Sequence, residues 1–303
     1  MSPQLLVTGA FILDELIYPE KHKRDYIPGG SVLYSALGAS LTGVSVGIVS
    51  IVGKDYPTDL LHKLEAKGID LSGVSRVDQG GCRCTMEYAG DGRKINFASN
   101  GLSLQEATPR FNHFPKSWYR THGIHIGPAL YDWQIELIAE IRRNLDVCLS
   151  VDVCDQVPLD KRLHYVWMLQ QADFVLPSEA EFLLLTGRPQ IERLEEEMRL
   201  FIQHRLKSMI MKRAEKGVCA FSIEQNALAK EPALTGLQIH DVTGAGDAFC
   251  GAFHASWLVS QDLKYSMRCG MIAASFALEG EGCEGLLNAT LQDFQSRFRQ
   301  CYN

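Results

Sequence analysis

Nowhere in its 303 residues does the chain carry an uninterrupted apolar run of the roughly 18 residues that a bilayer-spanning helix needs, so no membrane partner is expected. It also lacks an excess of positive charge. Lys and Arg number 30 against 36 Asp and Glu, and the formal charge of -6 argues against nucleic acid as a partner, because phosphate backbones need basic surfaces. A cysteine framework is missing too: nine is an odd number, and only Cys82 and Cys84 stand close together. Reduced thiols in a cytoplasmic protein are the expectation. No basic flank precedes the short apolar run in "MSPQLLVTGAFILDE", which reads as a first strand rather than a signal peptide. The sequon Asn288-Ala289-Thr290 is then a chance match. No repeat, low-complexity tract or linker divides the chain, which is long enough for one large core.

What is present is alternation. Apolar runs such as "LLVTGA", "VSVGIVSIVG", "GIHIG", "VCLSVDV", "DFVLP", "SMIMK" and "VCAFSI" are separated by helical periods, among them residues 57–67 and 131–144. Continuous β-branched runs between helices predict an α/β fold with a mostly parallel central sheet and helices on both faces. Loops after the strands then gather along one edge, where ligands bind. Two stretches depart from this rhythm. "CRCTMEYAGDGRKINFAS" alternates about a turn at Asp91-Gly92, and "FILDELIYPEKHKRDYIPGG" is extended and charged. Both read as strands of a small sheet projecting from the main one, so the chain is expected to be one domain over 1–303, with an insertion at roughly 12–28 and 82–99.

The stretch "IHDVTGAGDAFCGAF" concentrates the chemistry. Glycines at 244 and 246 let consecutive backbone N–H groups converge on one point, and a helix starting at Ala245 adds its dipole and its orphan donors. Gly244, Ala245 and Gly246 thus form an anion hole suited to charge developing on a transferring phosphoryl group. Asp247 stands where its carboxylate can accept a proton from a hydroxyl lying against that hole. A helix start with packing glycines and a first-turn acid would account for a bare GxG. The longer string is more specific. Competing phosphate motifs fail: "GIVSIVGKD" has the wrong spacing for a Walker loop, and "GAGDAF" lacks the last glycine of a dinucleotide fingerprint.

"DVTGAGDAFCGAF" resembles the signature of the ribokinase-like, or PfkB, carbohydrate kinase family, and the resemblance runs through nearly the whole chain. It implies a ribokinase-like three-layer sandwich with a β-sheet lid, ATP and Mg²⁺ as cofactors, and a small polyhydroxylated acceptor. In "VTGAFILDE" the implied holder of substrate hydroxyls is Asp14; in "PGGSVLYSALGASLTG", Gly29 and Gly30 let the acceptor approach the backbone. "VLPSEAEFLLLTG" implies that Glu181 organises Mg²⁺ through water. "MIMKRAEKGV" resembles the strand and turn beside the nucleotide, which assigns Lys212, Ala214 and Gly217 to it together with Thr243. Asp241 and Gly282 resemble parts of the family's monovalent-cation site, the basis for a K⁺ expectation. The lid's outer face is expected to meet solvent or to form a homodimer contact.

Departures from the family pattern bear on the acceptor. Tyr34 stands where Asn is usual and Ser31 where ribokinase has Lys, which is nearer to the cyclitol (inositol) kinase branch. Ser178 replaces a usual Asn, Ala214 a usual Gly, and Leu286 falls where a hydroxyl ligand often sits. A sugar or cyclitol is therefore the first expectation for the acceptor. A nucleoside is the alternative, its base flanked by Tyr34 and Phe97, and a catalytically silent sugar-binding or regulatory protein is the reading of another class. Elsewhere, His122 and His125 read as a buried strand end, the thiols of "CRC" as packing rather than zinc ligands, and Trp118, Trp133, Trp167 and Trp257 as core.

Overall fold

Leu5 and Val7 turn into one apolar core, while Leu6 between them turns into another. The strand Leu5–Thr8 is thus buried on both faces, as an uninterrupted apolar run requires. This computed structural model describes residues 2–17, 27–88 and 94–302. Among them a nine-stranded sheet runs, edge to edge, Ala227–Glu231, Val218–Ser222, Ser208–Lys212, Phe174–Val175, Cys148–Val151, Gly123–Ile126, Leu5–Thr8, Val46–Gly53 and Asp70–Val77. All pairings from Ser208–Lys212 onward are parallel. Val218–Ser222 instead lies antiparallel to both its neighbours. The reason is local: the link after Lys212 is too short for a crossover helix and can only fold back.

Helices cover both faces and complete the three layers. Ser31–Ser40, Thr58–Ala66, Ala245–Ser260 and Leu263–Leu278 supply one core, with Leu33, Leu61, Ala252 and Ile272. Tyr131–Asn144, Arg162–Leu169 and Glu179–Thr186 supply the other, with Trp133, Tyr165 and Phe182. Trp118 and Trp133 are core as expected, but Trp167 is 48% exposed: it projects outward from Arg162–Leu169 beside His164. His125 is buried within Gly123–Ile126, whereas His122 precedes the strand and is exposed.

A second sheet of four strands stands apart, in the order Ile27–Gly29, Ile12–Ile17, Cys82–Tyr88, Lys94–Gly101. The two alternating segments pair antiparallel, and Ile12–Ile17 joins them through a parallel pairing with Cys82–Tyr88. The expected turn at Asp91-Gly92 and part of the charged insertion lie outside the described residues, as does the Phe97 side chain. Cys82 and Cys84 are both buried. Among the described residues no group of three His, Cys, Asp or Glu could hold a metal ion.

The helices Ser31–Ser40 and Ala245–Ser260 touch backbone to backbone. A β-carbon at Gly38 would overlap the Ala248 backbone, and one at Gly251 the backbone of Ser35. Small residues here are a condition of the packing, since any side chain would force the helices apart.

Candidate active site

Three neighbouring parallel strands end side by side, and each delivers a charged group to the same edge. Asp152 follows Cys148–Val151, Lys212 closes Ser208–Lys212, and Glu181 lies in the first turn of the helix after Phe174–Val175. That carboxyl edge is where doubly wound folds place ligands. Lys212 Nζ donates to both oxygens of Asp152, at 2.6 and 2.7 Å. Burial would depress the ammonium, but Asp152, then Cys250 and Glu181, hold its pKa well above the ordinary lysine value.

Ser178 is the N-cap of Glu179–Thr186. Its hydroxyl accepts from the Glu181 N–H at 3.2 Å, and Glu181 Oε2 accepts from the Ser178 N–H at 2.6 Å. This reciprocal box fixes the Glu181 carboxylate without the amide side chain expected at 178. Burial raises the proton affinity of Glu181, Lys212 opposes that rise, and Asp152 adds to it.

The glycine turn faces this cluster. Gly244, at φ 74, is the N-cap of Ala245–Ser260, and only a residue without a β-carbon enters that left-handed region freely. Gly246 does not share the strain: it lies inside the helix, and a β-carbon there would come no closer than 3.7 Å to Lys212 Cδ and Nζ. Its bareness leaves room beside the ammonium instead. Asp247 occupies the first turn, half-buried, with Oδ1 enclosed and without a hydrogen-bond partner. Burial first, and repulsion from Asp152 next, push its carboxyl up to about 7 against the pull of Lys212. A carboxyl poised near neutrality and with a free lone pair is suited to general-base chemistry.

Residues read from the N-terminal half form the adjoining wall. Asp14 is buried on Ile12–Ile17, in register with Ile27 and Cys84. A β-carbon at Gly29 would overlap its carboxylate, and one at Gly30, which caps Ser31–Ser40 at φ 95, would overlap the Ala10 carbonyl. Tyr34, on that helix, is 1% exposed, and its ring fills the space that a side chain at Gly244 would need. Its hydroxyl is buried without a partner. Burial lifts its pKa well above the ordinary value, with Cys283, Asp14 and Asp241 adding to the rise. Tyr34 thus links the helix capped by Gly30 to the turn at Gly244.

Asp241 braces the turn. Its Oδ1 accepts the Thr243 N–H at 2.9 Å and its Oδ2 the Gly282 N–H at 3.1 Å. Leu286 is fully buried in the core. Ala214 and Gly217 belong to the tight link between Ser208–Lys212 and Val218–Ser222, where the Gly217 N–H donates to the Ala214 carbonyl at 2.9 Å. Ala214 takes the left-handed conformation at φ 47 that glycine would take at no cost. Two site residues escaped the sequence reading, Asp152 and Cys250. The signal for Asp152 was a lone acid ending the apolar run "VCLSVDV" at a strand's carboxyl end; nothing local marks Cys250.

An α/β sandwich with a glycine-initiated helix, an enclosed carboxylate and a half-buried, ion-paired lysine at its carboxyl edge has the equipment of a phosphotransferase. Comparison with known proteins agrees. A family model described as pfkB family carbohydrate kinase matches residues 5–289, and the chain belongs to that family of ATP-dependent kinases of sugars and nucleosides. Cytidine kinase of Thermococcus kodakarensis is 27% identical over 282 residues, covering 92% of this chain and 97% of that protein. Among solved structures, a nucleoside kinase of Burkholderia thailandensis in complex with inosine has a TM-score of 0.79 at 16% identity, covering 98% of this chain and 97% of its own. An E. coli protein assigned as ribokinase II, solved with ATP and Mg²⁺, has a TM-score of 0.78 at 21% identity, with 99% of each chain covered.

Proposed function

We propose that the protein transfers the γ-phosphoryl group of ATP to a hydroxyl of a flat, polyhydroxylated ring compound, with a nucleoside ahead of a sugar or cyclitol. The observation that carries the reaction is the enclosed, partnerless Oδ1 of Asp247 at the start of the glycine-initiated helix. Asp247 takes the hydroxyl proton, and the acceptor oxygen bonds to phosphorus as the bond to the bridging oxygen breaks and ADP leaves. The amides of the Gly244–Asp247 turn and the Lys212 ammonium meet the charge on the transferring group. Asp14 accepts from acceptor hydroxyls, while Gly29 and Gly30 admit the acceptor to the backbone.

Mg²⁺ fits the acids present. The cluster of Asp152, Glu181 and Asp247 faces one ammonium, and no three-ligand cage exists among the described residues. That suits an ion carried chiefly by phosphate oxygens and water near Glu181. When bound, it neutralises charge on the phosphates. Ala214, Gly217 and Thr243 border the nucleotide, and a K⁺ requirement would engage the Asp241–Gly282 loop. The small sheet closes over the acceptor as a lid on a single domain, and its outer face is the candidate homodimer contact. A cytoplasmic location fits the nine free cysteines.

The order of acceptors rests on the aromatic wall and the relatives. Phe11 and Tyr56 pack at 5.0 Å, the Tyr56 hydroxyl lies 3.5 Å from the Gly29 carbonyl, and the Tyr34 ring abuts Gly244, so buried aromatic rings back this wall. The cytidine kinase and the inosine-bound nucleoside kinase point the same way. A silent binding protein would have no use for a base held near neutrality. Measuring ADP release with Mg·ATP and a panel of nucleosides, sugars and cyclitols tests the reading. Turnover with nucleosides is expected to lead. No ADP release with any acceptor would sink the assignment.

A further inference from the structure

Asp152 takes no part in the reaction set out above, yet its carboxylate is bonded on both oxygens. It is 3% exposed. Besides Lys212, its Oδ2 accepts from the Cys250 thiol at 3.3 Å and its Oδ1 from the Val153 N–H at 2.9 Å. Its backbone carbonyl accepts from Gln134 Nε2 at 2.7 Å. These anchors come from separate elements, and one of them, Cys250, is on the helix that carries Asp247, one turn further along. Burial and the Asp152 charge raise the Cys250 thiol pKa well above its ordinary value, so it stays protonated and donates.

A buried ion pair is a poor way to stabilise a fold, because desolvation consumes most of the attraction. This pair has a direction that stability does not require. The ammonium lies against the bare face of Gly246, 3.7 Å from where a β-carbon would stand, at the turn that receives the phosphoryl group. A flexible lysine in that place, with no fixed partner, would sample many rotamers and lose its aim.

We propose that Asp152 is a positioning residue for phosphoryl transfer: it holds the Lys212 ammonium at the glycine turn, Cys250 locks its carboxylate from the helix of Asp247, and bound nucleotide shares that ammonium through its phosphates. The inference rests on the phosphotransferase reading given above.

The test uses the full chain, with ADP-release kinetics and calorimetric ATP binding on the wild type, Asp152→Asn, Lys212→Met, the double variant and Cys250→Ala. Asp152→Asn is expected to lower kcat by about 10- to 100-fold, the scale of a misplaced catalytic group, and to raise the KM for ATP while leaving that for the acceptor in place. The double variant should be no worse than Lys212→Met alone, because one residue acts through the other. Cys250→Ala, which removes one anchor and spares the ion pair, should lose a smaller part of kcat and covers the case in which Asp152→Asn does not fold. Wild-type kcat in Asp152→Asn, losses that multiply in the double variant, or an unchanged kcat in Cys250→Ala would each overturn the proposal. A wild type that releases no ADP with any acceptor would defeat the phosphotransferase reading instead. ATP affinity would then decide: unweakened in Asp152→Asn, it removes the positioning role as well.

Discussion

The ring of Tyr34 occupies the volume that any side chain at Gly244 would need. Gly244 is also left-handed at φ 74, so Gly244→Ala meets a steric and a conformational obstacle together. We expect kcat to fall by at least about 10-fold, since the cost falls on the amides proposed to face phosphate. Tyr34→Phe removes only a partnerless hydroxyl, and should leave the melting temperature near wild type while raising the acceptor KM. Steady-state kinetics with calorimetry on both variants checks the pair, and an acceptor KM unmoved by Tyr34→Phe would take that hydroxyl out of the site.

Asp247→Asn should keep nucleotide binding near normal and cut turnover by about 10²–10⁴, the usual worth of a positioned base. More than about a third of wild-type activity in this variant would mean that another group takes the proton.

The pH dependence follows from the same carboxyl. Asp247 must be ionised to act as a base, and its pKa is pushed up to about 7, so kcat/KM should rise with pH through that region. The folded state binds this proton more tightly than the unfolded chain, whose Asp titrates near 3.9. The resulting stabilisation is therefore complete below about 4 and is lost as the pH climbs through about 7. Asp247→Asn, which mimics the protonated form, should gain melting temperature over wild type at pH 8 and little at pH 4. A rate profile flat from pH 5.5 to 8.5 would contradict the assignment.

Asp14→Ala should raise the acceptor KM strongly and leave the KM for ATP little changed, because the carboxylate faces Gly29 rather than the lysine cluster. Fructose 6-phosphate should be a poor acceptor, because the Asp14 carboxylate would repel a second phosphate brought to that wall. Efficient turnover of that sugar phosphate would refute the pocket as drawn.

Ala214→Gly removes a β-carbon from a left-handed position at φ 47. Relief of roughly 1–2 kcal/mol of strain, set against the entropy that glycine gains when unfolded, leaves a net stabilisation under about 1 kcal/mol. Thermal melts should show a small upward shift, and a lower melting temperature would show that the turn gains something from the methyl group.

Much of the site was legible because its parts are short and local. The start of Ala245–Ser260, the glycine turn and Asp247 can be read within a few residues, and Gly29-Gly30 with Asp14 need only one strand and one turn. The α/β layering was equally visible, since Leu5, Leu6 and Val7 show both buried faces in consecutive positions. What stayed hidden depends on register between distant strands. Asp152 acquires Lys212 because two strands end level with each other, with a third between them, and Cys250 meets Asp152 because a helix more than ninety residues later crosses that edge. Ser178 shows a further role that the family comparison did not give: besides standing in place of an amide, it is a sound helix cap, and its hydroxyl and Glu181 satisfy one another.

Gly38 and Gly251 bring the helix bearing Tyr34 into backbone contact with the helix bearing Asp247. Two rods joined so closely cannot slide or tilt independently, so on the proposed reading the part of the protein that selects an acceptor and the part that performs the transfer form one rigid block. Altering selectivity through Tyr34 will therefore disturb the rate as well, and a change of acceptor without loss of speed has to come from the opposite wall, where the small sheet stands apart.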